Sequence, residues 1–157
     1  MRGSEISLGG ERTDPTTEML SEMYRNVTMG SESLAAVVPK IRGRELMTNV
    51  TAQLEQYADF TGKTARMLRK RAVKPKDPSL LKKTMTRGGI ALNLLFDSSD
   101  GNIAQMIKRG TQLGAEQLED KLEEYERKGC EREAADLCRD ILAFEDRQIT
   151  EADNMAR

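Results

Sequence analysis

The stretch from Leu118 to Ile149, LEDKLEEYERKGCEREAADLCRDILAFEDRQI, decides the fold. As far as Lys128, apolar residues recur at steps of four and three (Leu118, Leu122, Tyr125), which lays one stripe along a helix. Gly129 ends that helix, because glycine alone takes the left-handed conformation of a helix C-terminus at no steric cost. Beyond it a second stripe begins: Ala135, Cys138, Ile141, Leu142, Glu145, Gln148, Ile149 and Ala152. Two long helices joined by so short a turn must lie antiparallel, side by side. The spacing predicts helices over about 101–128 and 131–155.

The N-terminal half repeats this design. Asp14-Pro15 is a helix start, with Asp as N-cap and Pro at the first helical position, where its missing N–H costs nothing. The stripe Leu20, Tyr24, Val27, Ser31, Leu34, Val38 and Ile41 follows, with Met19 and Met23 as core fillers. Pro39 and Gly43 end it, and a second helix spans about 44–71 with the stripe Leu46, Val50, Gln53, Tyr57, Thr61, Thr64 and Leu68. Half of this second stripe is polar. Each helix comes to roughly 37–45 Å at 1.5 Å per residue.

Between the hairpins, AVKPKDP reads as a loop and Asp77-Pro78 repeats the helix-start signal. A short helix is expected over 79–96, apolar in its second half (Ile90, Ala91, Leu92, Leu94, Leu95, Phe96), before Asp97-Ser98-Ser99-Asp100 supplies the next N-cap. The reading is an all-α, four-helix bundle with a short crossover helix between two hairpins. Residues 1–13, with Gly3, Gly9 and Gly10, read as a flexible tail, and 14–157 as a single domain. On the third helix, Gly110 and Gly114 either let backbones approach closely or merely weaken the helix.

Composition narrows the chemistry. The chain has no His, which excludes His-based triads, His-ligated haem and the usual His-containing zinc sites. Cys130 and Cys138, eight apart on one helix, lie roughly 12 Å from each other along its axis and cannot form a disulfide. Cys138 reads as core. Cys130 stands near a helix start, where the dipole lowers a thiol pKa, but reads first as an incidental cysteine at a turn. No apolar run reaches the ~20 residues of a membrane span, and the N-terminus lacks a signal-peptide core, so the expected location is cytoplasmic.

Two hairpins joined by one crossover resemble the ferritin-like superfamily. Within Leu142–Ile149, the segment Glu145-Asp146-Arg147-Gln148 is similar to that superfamily's last-helix Glu-x-x-His motif, with Gln148 in place of His. On the second helix Gln53-Leu54-Glu55-Gln56 stands in the comparable place, with Gln for both Glu and His. The chain is also similar to small helical proteins of clostridia and their relatives. The resemblance implies a polar layer in the bundle centre, drawn from Glu22 (or Glu18), Gln53, Tyr57, Glu116, Glu145 and Gln148. Such a layer is either a metal site or a hydrogen-bond network that fixes helix register. Carboxylates without imidazole suit Mn, Mg or Ca better than oxygen-activating iron. The expectation is therefore a network, with no cofactor.

Charge is segregated although the net is only −1. Residues 63–87 hold ten Lys/Arg against one acid, and 116–146 hold twelve acids against five bases. Arg66, Arg69, Lys70, Arg71, Lys82 and Lys83 form a candidate anion-binding patch, or else complement the helix dipole and pair with the acidic helices. No aromatic residue lies between Lys63 and Arg87 to stack on bases, which argues against nucleic acid. The segment Gly89–Phe96 is too apolar for an exposed connection, so it is either tucked against the bundle or buried in a homo-oligomer, and an exposed Met row on the first helix would suit a protein partner. The sequence thus predicts a non-catalytic bundle that self-associates or binds a protein. A metal-binding or oxidoreductase bundle is the alternative, and an anion or RNA binder the third.

Overall fold

A computed structural model describes residues 14–76 and 97–156. It contains four long helices: α1 (Pro15–Val37), α2 (Arg44–Lys70), α3 (Asp100–Arg127) and α4 (Arg132–Ala156). A single 3-10 turn, Val38–Lys40, follows α1 where Pro39 removes a backbone donor. No strand occurs among the described residues. The short helix expected over 79–96, the helix start at Asp77-Pro78 and the tail 1–13 lie outside them.

Each helix begins and ends as its residues require. The Asp14 carboxylate accepts the Thr17 backbone N–H at 2.8 Å, and Pro15 opens the helix. Ser99 caps α3 by accepting from the Asn102 N–H at 3.2 Å. Gly129, at φ 91°, turns the chain between α3 and α4. Gly43, at the start of α2, has no side chain to cap its helix; its N–H donates instead to Asp100, from the start of α3, at 2.6 Å.

The cross-links at the two ends fix the topology. At one end Arg71 reaches Asp14 at 2.9 Å and Glu131 at 3.1 Å, and the Glu131 N–H donates to Thr16 Oγ1 at 2.8 Å. At the other, Asp100 accepts from the N–H groups of Arg42 and Gly43. Hence α1 and α4 run one way and α2 and α3 the other. Consecutive helices α2 and α3 are parallel, with Arg71 and Asp100 at opposite ends of the bundle. The most extensive contacts are α3 on α4, α1 on α2 and α1 on α3; α4 meets α2 and α1 at fewer points.

The core is continuous from Met19, Leu20 and Met23 through Val27, Leu34, Val50, Phe60 and Leu68 to Ile103, Leu122, Cys138, Ile141 and Phe144. Three stripes differ from the sequence reading; in α4 Phe144 is buried, while Leu142 and Ile149 are only half-buried. In α1 the buried positions are Leu20, Met23, Val27, Leu34 and Val37, while Tyr24, Ser31 and Val38 are only half-buried. In α2, Phe60 is buried and Thr61 is half-buried. Steps of three and four admit two neighbouring stripes, and the larger apolar side chains take the inner one. Met19 and Met23 are buried as expected, and Met29 is half-buried.

Candidate functional site

One polar layer crosses the bundle centre. Glu145, 2% exposed, is the only buried charged residue among the described residues. Its two oxygens have separate donors: the Tyr57 hydroxyl gives to Oε2 at 2.9 Å, and Asn26 Nδ2 gives to Oε1 at 3.4 Å. The same Asn26 Nδ2 donates to the Gly114 carbonyl at 3.2 Å. Helices α1, α2 and α4 therefore meet at Glu145, and α3 joins them through its backbone at Asn26.

Local sequence explains the geometry. Gly30 leaves room for the tyrosine: a Cβ there would stand 2.7 Å from Tyr57 Cζ. Phe144 sits edge-on to the Tyr57 ring, with centroids 5.1 Å apart, and fixes its plane. Gly114 gives Asn26 its approach, since an added Cβ would lie 3.4 Å from Asn26 Nδ2. Gly110 plays no such part; nothing lies within 4 Å of a Cβ built there. The expected close approach of α3 thus rests on Gly114 alone.

Burial dominates the electrostatics. Loss of water pushes the Glu145 carboxyl up to about 7, with Tyr57 and Asn26 pulling it partly back by hydrogen bonding. Burial, and then the charge of Glu145, raise the Tyr57 hydroxyl and push the Cys138 thiol up to about 12. The Cys130 thiol is raised too, by burial first and then by Glu126, opposite to the lowering that a helix start would give.

Gln53 and Gln148, at 2% and 8% exposure, are inside as expected. Gln53 does not join Glu145 directly; its Nε2 donates to Asn49 Oδ1 at 2.6 Å, and Asn49 Nδ2 donates to Glu151 at 2.7 Å. Two expected members are not in the layer. Glu116 is exposed: it lies two residues, some 200° of helix rotation, from the inward-facing Gly114. Glu22 is half-buried and pairs with Arg25 of its own helix at 3.6 Å. It stands one residue, some 100° of helix rotation, from fully buried Met23 and so falls on the flank of α1. Among the described residues, no group of three or more Cys, Asp or Glu side chains is placed to hold a metal ion.

Asn26 is the member that the sequence reading missed. Its signal was present: an Asn inside a long helix, between core Met23 and Val27, with Gly30 one turn on. Of the basic patch, Arg66, Arg69 and Lys70 are exposed on α2. Arg71 is committed to Asp14 and Glu131, the pairing of the basic helix end with acidic neighbours, and is not open to an external anion. Lys82 and Lys83 lie outside the described residues.

No helix among the described residues is long and apolar enough to cross a membrane. No protein family, curated protein or solved structure matches this chain. Among the described residues, fold and site define an all-helical class: four long helices with one buried carboxylate at their centre.

Proposed function

We propose that this is a non-catalytic, cytoplasmic bundle, ferritin-like in topology, that acts by self-association or by binding a protein, with its central layer serving to fix helix register. One observation carries the structural role of the layer: both Glu145 oxygens are occupied by donors from α1 and α2. Glu116 and Glu22 lie outside it, so a carboxylate set for a pair of multivalent metals has one member of four. The parallel order of α2 and α3 supports the ferritin-like topology, since that is what a single crossover produces.

Two measurements test this. Light scattering of the full chain is expected to give a mass above the monomer's 17.6 kDa, alone or with a partner; a monomer that captures no protein contradicts it. Metal analysis after purification without chelators is expected to find no stoichiometric Mn, Fe or Zn in either wild type or Glu145→Ala. Transition metal present in the former and lost in the latter establishes the oxidoreductase reading instead. The anion reading keeps Arg66, Arg69 and Lys70, and requires affinity that falls steeply with salt.

A further inference from the structure

Two outer helix faces carry charges of opposite sign. On α2, Arg66, Arg69 and Lys70 are exposed, turned away from buried Phe60, Thr64 and Leu68. On α3, Glu116, Glu119, Asp120 and Glu123 are exposed, turned away from buried Leu118 and Leu122. None of them forms an ion pair among the described residues. Their neighbours Lys63 and Arg71 are already held, by Asp59 at 3.1 Å and by Asp14 and Glu131.

The fold sets these faces back to back and at one height. Helices α1 and α4 pack between α2 and α3, so the two outer faces look to opposite sides of the bundle. Both helices start at one end, where the Gly43 N–H meets Asp100 at 2.6 Å, and run parallel. Counted from those starts, the basic run stands roughly 33–39 Å along α2 and the acidic run roughly 24–35 Å along α3. Nearer the start the signs reverse. Exposed Glu55 stands at roughly 17 Å on α2, and exposed Arg109 at roughly 14 Å on α3. Leu113, a large apolar side chain left 58% exposed, stands at roughly 20 Å on α3, level with exposed Ala58 on α2.

We propose that the outer face of α3 in one copy docks on the outer face of α2 in the next, the copies lying side by side with their helices parallel. In that register the acidic run meets the basic run, and Arg109 meets Glu55, each within about one helical turn. Leu113 covers Ala58. Arg127, exposed in the last turn of α3, meets Lys70 as a like pair at the edge of the contact. A reversed copy would instead set Glu116 against Glu55 and Arg109 against Lys63, like against like. The occupant is a second copy because one chain carries both signs at matching heights. A narrow, charge-led contact fixes orientation more than affinity, so the association is weak, micromolar or above. It is also heterologous: every pairing leaves one face of each kind free, and assembly continues as concentration rises. The inference rests on the self-association reading and names its surface.

The test is the light-scattering mass of the full chain at about 100 μM in low salt. Wild type is expected above 17.6 kDa, rising with concentration and falling back towards that mass in about 0.5 M salt. A basic-face variant carries Arg66→Gln, Arg69→Gln and Lys70→Gln; an acidic-face variant carries Glu116→Gln, Asp120→Asn and Glu123→Gln. Every substituted side chain is exposed, so circular dichroism should show both variants folded. Each should associate about tenfold or more weakly and stay monomeric. Each also keeps the face that the other lost, so an equimolar mixture should recover a mass of twice 17.6 kDa and stop there. Folded variants that assemble as wild type does, or a mixture that stays monomeric, overturn the proposal and leave self-association to another surface. A monomeric wild type overturns the proposal and self-association together, leaving only the binding of a different protein.

Discussion

At Glu145 a single carboxyl sets the pH response. Its ordinary value is 4.5 and burial raises it to about 7, so between those limits the folded chain keeps a proton that the unfolded chain has lost. A raised carboxyl favours the fold at low pH. Its contribution is complete below 4.5, falls as pH rises, and is gone above about 7. The loss is on the order of 3 kcal/mol. Denaturant titrations across this window should show stability falling with pH in wild type and nearly flat in Glu145→Gln. A wild-type profile as flat as the variant's contradicts the burial argument. Gly30 gives a second, steric prediction. Gly30→Ala places a methyl group 2.7 Å from Tyr57 Cζ, whose ring is held by Phe144 and by the bond to Glu145. Overpacking of this kind costs about 1–3 kcal/mol, readable as a lower denaturation midpoint with unchanged slope.

Single helices make the contrast between glycines plain. Gly110 on α3 is exposed, with open space where a Cβ would go. Gly110→Ala should therefore stabilise by about 1 kcal/mol through helix propensity alone, and thermal unfolding measures it. In sequence Gly110 and Gly114 look alike, spaced one turn apart on one apolar stripe. Only the partner helix separates them, because Asn26 comes up against Gly114 and nothing comes up against Gly110. The same limit applied elsewhere. Helix starts were legible at Asp14-Pro15 and Ser99 because caps are local, and Gly129 marked the α3–α4 turn by its own backbone need. Tyr57, Glu145, Gln53 and Gln148 were legible as polar residues on apolar stripes. Glu116 and Glu22 were misplaced because a shift of one or two residues turns a side chain by 100° or 200° about the helix axis and changes its burial while barely changing the sequence pattern. Asn26 was missed because its partners, Gly114 and Glu145, lie 88 and 119 residues away.

The whole bundle is clamped at both ends by polar residues borrowed between helices. At one end the half-buried Arg71 links the start of α1 to the approach of α4 through Asp14 and Glu131. At the other, Asp100 accepts from the N–H groups of Arg42 and Gly43, in the turn just before α2. Asp100→Ala removes the charged acceptor of both N–H groups and should cost about 1–2 kcal/mol. Arg71→Ala breaks a partly screened pair and should cost nearer 1 kcal/mol, less in high salt. The clamps stand roughly 40 Å apart, the length of α2. Substitutions so far apart, with no shared partner, add in a two-state fold. The double variant should thus lose the sum of the single losses within about 0.5 kcal/mol in urea titrations. A sum that falls short by more, or two separate transitions, would show that the ends open independently. The bundle would then be two cooperative units joined at the Glu145 layer, with Asn26 and Tyr57 as the contacts that couple them.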